Sequence, residues 1–142
     1  MSVSASLKVD RFDLVEAILT EAAHTACVVG AEVTAEDARN QIAEQIGSGR
    51  KYPRLPHQSS APGEAPVNQM EVLHDSIHAN TEVDIVGIGA STDVDADYGL
   101  FLELGTSKMA PRPFLGSAAV EGEAAAAEYV ESIPAALNRV LR

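Results

Sequence analysis

Residues 98–114, Y-G-L-F-L-E-L-G-T-S-K-M-A-P-R-P-F, restrict the backbone more tightly than any other stretch of the 142-residue chain. The apolar residues of the first half are spaced as one or two turns of an amphipathic helix: Tyr98, Phe101, Leu102 and Leu104. Gly105 follows, where a left-handed helix terminus needs a residue without Cβ. Pro111 and Pro113 restrict the backbone on both sides of Arg112. The pattern predicts a short helix that ends at Gly105 and a stiff extended segment that presents Arg112.

Composition indicates one soluble domain with a thin core. A hydrophobic content of 46% is too high for a wholly disordered chain, but only 4% of residues are aromatic. Such a core would gain stability from assembly. The single Cys27 excludes an intrachain disulfide, and its apolar surroundings predict a buried thiol without chemistry.

Charge and hydropathy restrict the partners. The formal net charge of −11 argues against wrapping nucleic acid, because phosphate binding needs clustered Lys and Arg. The N-terminus has no apolar signal-peptide core, and no apolar run was expected to reach the roughly 20 residues that span a bilayer. We therefore expect a cytoplasmic protein without a membrane partner.

Two long amphipathic helices are predicted. The first has apolar residues at helical spacing across residues 14–26 and restarts after Gly30 through Ile46, so one helix or two in series fit the pattern. An isolated glycine costs about 1 kcal/mol relative to alanine, which favours a single helix with a weak point at Gly30. The second long helix covers residues 126–140.

The rest of the chain predicts a small sheet. Residues 81–89 have the β-branched alternation of a strand, while residues 72–77 predict a short helix or the start of a strand. Residues 90–97 are small and acidic and predict a turn. The second strand is expected from residues 110–115 or from the long loop. The predicted class is α+β, with two longer amphipathic helices packed on a small antiparallel β-sheet and a long Pro/Gly-rich loop.

Residues 47–66 are rich in Gly, Ser and Pro and predict that long loop. Several basic and aromatic residues lie in it: Arg50, Lys51, Tyr52, Arg54 and His57. One interpretation is an arm that docks on an acidic neighbour and becomes ordered as it does so; the other is a flexible solvated loop. The prolines favour the arm, because they lower the entropy cost of ordering.

Two ordered segments of the chain resemble the HK97 gp10-like family of bacteriophage tail and neck proteins. The first comprises Tyr98, the aromatic-Glu-aliphatic-Gly-Thr run within residues 101–106, and the Arg-Pro-Phe of residues 112–114. The second is residues 57–66, which resemble the family's Ser-Ala-Pro-Gly-x-x-Pro loop, followed by a matching segment at residues 73–77.

The resemblance implies a structural virion protein of the head–tail neck, which assembles as a ring around the DNA channel, sixfold by the tail symmetry of the family. The implied partners are further copies of the chain, a head-completion or connector protein, and a tail-terminator or tail-tube protein. DNA would pass without specific binding, and the protein would reside in the host cytoplasm before assembly. A tail-terminator or head-completion ring is the alternative. The chain departs from the family at Met70 and Glu71, where Thr-Gly is usual.

The candidate interface residues come from the loop and from residues 98–114. They are Arg50, Lys51, Tyr52, Arg54, His57, Glu103, Gly105, Thr106, Lys108, Arg112, Pro113 and Phe114. Glu103 is either solvated or bonded to an arginine, with Arg112 as the candidate within the chain or across a ring interface. Phe114 belongs to a residue type that more often packs in a core than forms a contact.

The alternative from another class is a metal-dependent enzyme that uses His74 and His78. On a helix their spacing would place both imidazoles on one face, near Asp75 and Glu71. A third ligand and the H-E-x-x-H pattern are missing, so surface histidines are the simpler interpretation. We expect no enzyme activity, no bound metal and no cofactor.

Overall fold

The structure is a computed structural model that describes residues 11–54, 58–68, 71–81 and 89–140. Its elements in chain order are α1 (Arg11–Glu44), α2 (Val72–Asp75), β1 (Ile77–Asn80), β2 (Ser91–Val94), α3 (Gly99–Leu104) and α4 (Leu115–Val140). The two long helices and the small antiparallel sheet confirm the predicted α+β class.

The long helices α1 and α4 run antiparallel along each other. Ser117, in the first turn of α4, donates a hydrogen bond to Gln41 Oε1 near the end of α1 at 2.7 Å. Near the middle of α1, a Cβ atom on Gly30 would lie 3.1 Å from the carbonyl oxygen of Gly122, and a Cβ on Gly122 would collide with Gly30 O and Thr34 Oγ1. The prediction of a single helix is confirmed, and at Gly30 the backbones of the two helices approach closely.

The hydrophobic core lies against the C-terminal half of α1. Its largest fully buried side chains are Phe114, Ile42 and Ile77, and most of the other buried apolar residues of the described chain are alanines. The sheet is fastened to α1 through Thr92 Oγ1, which donates to Ala31 O at 2.9 Å, and by Arg39 Nη1, which donates to Ile77 O at 2.9 Å. The core is thin, as the low aromatic content predicts.

The sheet has two strands, and one of them was not expected. Ile77 in β1 is paired with Val94 in β2, and Asn80 with Ser91. The prediction of a turn over residues 90–97 is wrong, because four of these residues form β2. The expected second strand over residues 110–115 is also wrong, because residues 110–114 form no strand and α4 begins at Leu115. Of the strand predicted over residues 81–89, residues 82–88 lie outside the described part of the chain.

Helix α1 is more apolar than the sequence expectation allowed. By length and composition Phe12–Glu44 qualifies as a membrane-spanning helix, and only 11% of its most apolar window is buried. The expectation that no run approaches spanning length therefore needs correction. A mostly buried core helix of a soluble protein and a signal sequence near the N-terminus pass the same test, so length and composition alone do not assign α1 to a membrane. Helix α1 packs along α4 and also carries acidic residues, which are costly inside a bilayer.

Candidate assembly surface

The turn after α3 depends on Gly105. This residue ends α3 with φ 74° and ψ −178°, so the predicted positive φ is confirmed, although ψ is extended instead of left-handed helical. A Cβ atom here would lie 2.8 Å from Met109 O and 2.8 Å from Pro111 N. Thr106 N donates to Met109 O at 2.7 Å and closes the turn, which leaves Lys108 exposed at its tip. Only glycine fits this backbone without strain.

Glu103 caps the N-terminus of α4. Its Oε2 accepts hydrogen bonds from the backbone N–H groups of Phe114 at 2.8 Å and Leu115 at 3.0 Å, and its Oε1 accepts from Gly116 N at 2.9 Å. These donors have no partner within the helix, and a carboxylate also interacts favourably with the positive end of the helix dipole. The prediction that Glu103 pairs with Arg112 within the chain is therefore wrong, because the backbone N–H groups at the start of α4 occupy its carboxylate oxygens.

Arg112 fastens the long loop to α3. Its Nε and Nη2 donate to Ser60 O at 3.3 and 3.1 Å, and its backbone N–H donates to Leu102 O at 2.7 Å. Nearby, Gly63 N donates to Pro111 O at 2.9 Å. The guanidinium is half-buried, so the prediction that Arg112 projects freely is wrong. The two segments that carry the family resemblance meet at this junction.

Residues 49–54 and 58–59 are joined by a short ladder of backbone hydrogen bonds, and we name these residues the basic arm. Gly49 N donates to Ser59 O at 2.7 Å, and Ser59 N donates to Arg50 O at 3.2 Å. The Arg50 guanidinium lies 5.3 Å from the centroid of the Tyr52 ring, within the range of a cation–π contact. Lys51 and Arg54 are exposed. Residues 55–57, which include the candidate His57, lie outside the described residues.

Glu64 holds the base of the arm. Its Oε2 accepts from Ala61 N at 2.7 Å, from Gln45 Nε2 at 3.0 Å and from Ser48 N at 3.2 Å, and its Oε1 accepts from the Ser48 hydroxyl. The Ser48 hydroxyl bond, followed by the Ala61 amide bond, holds the pKa of Glu64 below its ordinary value, against a smaller opposing effect of desolvation. In the described part of the loop, side-chain contacts therefore fix the arm at its base.

An apolar surface lies beside the arm. Three residues of α3 are largely exposed: Leu100 at 64%, Phe101 at 54% and Leu104 at 68%. With the exposed Tyr98 they form what we name the α3 patch, while Leu102 packs toward the core. A cleft of about 400 Å³ separates the patch from the arm and is lined by both Tyr52 and Tyr98. The predicted apolar stripe thus faces solvent, apart from Leu102.

The remaining candidates divide between surface and interior. Thr106 is exposed and Pro113 is half-buried. Phe114 is fully buried, at 0% exposure, and contributes to the core. Its side chain is therefore inaccessible to a neighbour, as the burial tendency of phenylalanine favours.

The histidine pair does not have the geometry of a metal site. His74 lies in α2, which ends at Asp75, whereas His78 lies in β1. The Nδ1 atom of His74 is 2.8 Å from Asp75 Oδ1, and that of His78 is 3.9 Å from Asp95 Oδ2. No group of three or more His, Cys, Asp or Glu residues suited to a metal was found among the residues that the structure describes. The expected placement of both imidazoles on one helical face is wrong.

Glu71 has an unusual backbone that sequence reasoning missed. Its φ is 61° and its ψ is −11°, and elsewhere in the described chain positive φ occurs only at glycines. Asn68 Oδ1 accepts a hydrogen bond from Glu71 N at 2.9 Å, just before α2 begins at Val72. No local residue pattern predicts this conformation, because glutamate seldom adopts a positive φ.

Comparison with known proteins adds no further evidence. No protein-family model matches the chain, and no curated protein or solved structure matches it.

Proposed function

We propose that this chain is a structural protein of the head–tail neck of a tailed bacteriophage, and that it assembles as a ring around the DNA channel to join the head connector to the tail. The observation that carries this proposal is the junction of Arg112 with Ser60. The two residues belong to the two motif segments that resemble phage neck proteins, and they lie 52 positions apart in the sequence. Their contact joins the two segments in one local unit, as a shared motif requires.

The backbone of Glu71 is compatible with the resemblance. The family usually has glycine at this position, and Glu71 has a positive φ of 61°, a conformation that glycine adopts readily. A residue with a Cβ atom adopts it only at a cost of about 1 kcal/mol or more.

The exposed apolar surface supports assembly in place of catalysis. The α3 patch places Leu100, Phe101 and Leu104 in solvent on a helix of six residues, next to the cleft and the basic arm. Clustered exposed side chains of this size are typical of interaction sites. A ring needs two different complementary faces on each subunit, because its contacts are heterologous. The surface that contains the arm and the patch can supply one of them.

The test is a nonsense mutation in this gene, within the phage that carries it, followed by electron microscopy of the lysate. We expect DNA-filled heads and separate finished tails, and recovery of infectious particles when the wild-type chain is supplied in trans. Tails of uncontrolled length would favour the tail-terminator alternative. Normal infectious particles without the protein would refute the assignment to the neck.

A matched pair of variants links that phenotype to the surface. Leu100→Asp places a charge on the α3 patch, and Val130→Asp places the same charge on an exposed apolar site of α4. We expect both proteins to fold, as judged by circular dichroism, and only Val130→Asp to restore infectivity. Equal rescue by both would remove the α3 patch from the assembly surface.

A further inference from the structure

Among the described side chains, the basic residues of the arm have no carboxylate partner. The two contacts of this kind found there join His74 to Asp75 and His78 to Asp95. Arg50 stacks on Tyr52, whereas Lys51 and Arg54 extend into solvent. This lack of pairing is unexpected in a chain with 21 acidic and 10 basic residues.

A groove between α1 and α4 has the opposite charge. It has a volume of about 540 Å³ and is lined by Glu36 and Asp37 of α1 and by Glu121 of α4, together with Val33 and polar residues. Glu36 and Glu121 are exposed. We name this feature the acidic groove. Exposed Val120 stands beside Glu121 in the sequence and adds apolar surface at the same level of α4.

Two hydrogen bonds between polar side chains join α1 and α4 at the acidic groove. Ser117 Oγ donates to Gln41 Oε1 at 2.7 Å, and Gln41 Nε2 donates to Asp37 Oδ2 at 2.7 Å. Glu36 and Glu121 take no part in these hydrogen bonds, and no cationic side chain of the described residues lies within 4 Å of their carboxylates. These two side chains are therefore available to a positively charged partner.

We infer that the basic arm of one copy docks in the acidic groove of the next copy. This inference rests on the proposed ring and specifies its contact. Lys51 and Arg54 would face Glu36 and Glu121, and Tyr52 would supply the aromatic body that packs between charged groups at an interface. Every copy carries both the arm and the groove. In the proposed ring, the arm of each copy docks in the groove of the next, so the contact is heterologous and head-to-tail.

Charge complementarity favours a second copy of the chain as the partner that docks in the acidic groove. Without the three cations of the arm, the chain retains seven basic residues against 21 acidic ones. Two copies that met through other surfaces would on average repel each other, whereas arm-to-groove contact brings opposite charges together. Complementary charge of this kind fixes orientation and excludes other registers.

The experiment uses charge reversal on each side of the contact, with the full chain followed by sedimentation velocity. The arm variant is Lys51→Glu with Arg54→Glu, and the groove variant is Glu36→Lys with Glu121→Lys. We expect wild-type chains to associate at low ionic strength and each variant to associate about tenfold or more weakly, because two attractions become repulsions. High salt should weaken the wild-type contact, because it screens exposed charges.

Mixing the two variants gives the decisive result. The acidic arm of one then meets the basic groove of the other, and the unchanged arm and groove also match, so association should return in the mixture. Glu128→Lys with Glu131→Lys changes the net charge as much as the groove variant does, at exposed sites elsewhere on α4, and should associate like the wild type. A mixture that stays dissociated, or wild-type chains that stay monomeric throughout, would overturn the contact.

Failure of this contact can be separated from failure of the neck assignment by complementation of the nonsense mutant. Arm and groove variants that each restore infectivity would eliminate the contact and leave the function standing. Normal particles made without the protein would eliminate the function, whatever the purified chain does in solution.

Discussion

Replacement of Gly105 by alanine should destabilise the protein far more than its small size suggests. The φ of 74° with ψ of −178° lies in a region that is almost restricted to glycine, and a residue with Cβ costs about 1–3 kcal/mol there. The added methyl would also lie 2.8 Å from Met109 O and from Pro111 N. Overpacking of this kind costs about 1–3 kcal/mol more. We expect a loss of about 2–6 kcal/mol from the free energy of unfolding.

The measurement is urea unfolding of the purified variant, followed by circular dichroism. Marginal stability of about 5–15 kcal/mol means that this loss is a large fraction of the total. The melting temperature should fall by about 10 °C, since each kcal/mol shifts it by about 2–4 °C in a domain of this size.

Two other glycines separate the causes of that loss. Gly63 also has positive φ, at 85°, but a Cβ there would have no neighbour within 4 Å, so Gly63→Ala should cost about 1 kcal/mol from conformation alone. Gly89 has open space around a Cβ and no positive φ, so Gly89→Ala should be close to neutral. If Gly105→Ala costs no more than Gly63→Ala, the close contacts with Met109 and Pro111 contribute nothing and the account of this turn is wrong.

Three further predictions concern the glutamates of the junction. Glu103→Ala removes the cap of α4 and should lower the free energy of unfolding by about 1–2 kcal/mol in urea titrations; an unchanged value would show that water replaces the carboxylate without loss. Glu71→Gly relieves a strained backbone and should raise the free energy of unfolding by about 1 kcal/mol, seen as a higher melting temperature. A lower melting temperature would mean that the glutamate side chain contributes more to stability than its positive φ costs. The pKa of Glu64 is lowered from its ordinary value of 4.5, so the unfolded chain binds the proton more readily. The stability contributed by Glu64 is therefore complete above pH 4.5 and is lost as the pH falls through the lower folded pKa. The stability of Glu64→Gln, measured between pH 3 and 6, should lack that part of the pH dependence.

Hydrophobic spacing predicted that both long helices exist, but α4 begins at Leu115, well before the predicted start at residue 126. The apolar repeat predicted α1 as one helix, and the helix stop at Gly105 was predicted from its missing Cβ. Strand β2 was missed because S-T-D-V is short and polar and follows Gly89 and Ala90, and small and acidic residues of this kind are typical of a turn. Its pairing with β1 is a tertiary contact that has no local signal.

The partners of Glu103 and Arg112 could not be predicted for a different reason. Their opposite charges suggested a bond between them, but each bonds to backbone instead: Glu103 to the amides that begin α4, and Arg112 to the carbonyl of Ser60. A sequence displays side-chain charges and conceals which backbone groups the fold leaves without a partner. Helix termini and loop carbonyls are such groups, and charged side chains satisfy them strongly.

The hydrogen bonds of Glu103 and Arg112 also connect the surfaces that the proposals assign to assembly. Glu103 joins α3 to the first turn of α4, and Arg112 joins α3 to the base of the basic arm through Leu102 O and Ser60 O. The α3 patch, the arm and the α4 side of the acidic groove are therefore tied to one short segment. These hydrogen bonds restrict how far the arm can move relative to the groove. A ring requires such rigidity, because the angle between neighbouring subunits depends on the relative position of their two contact surfaces.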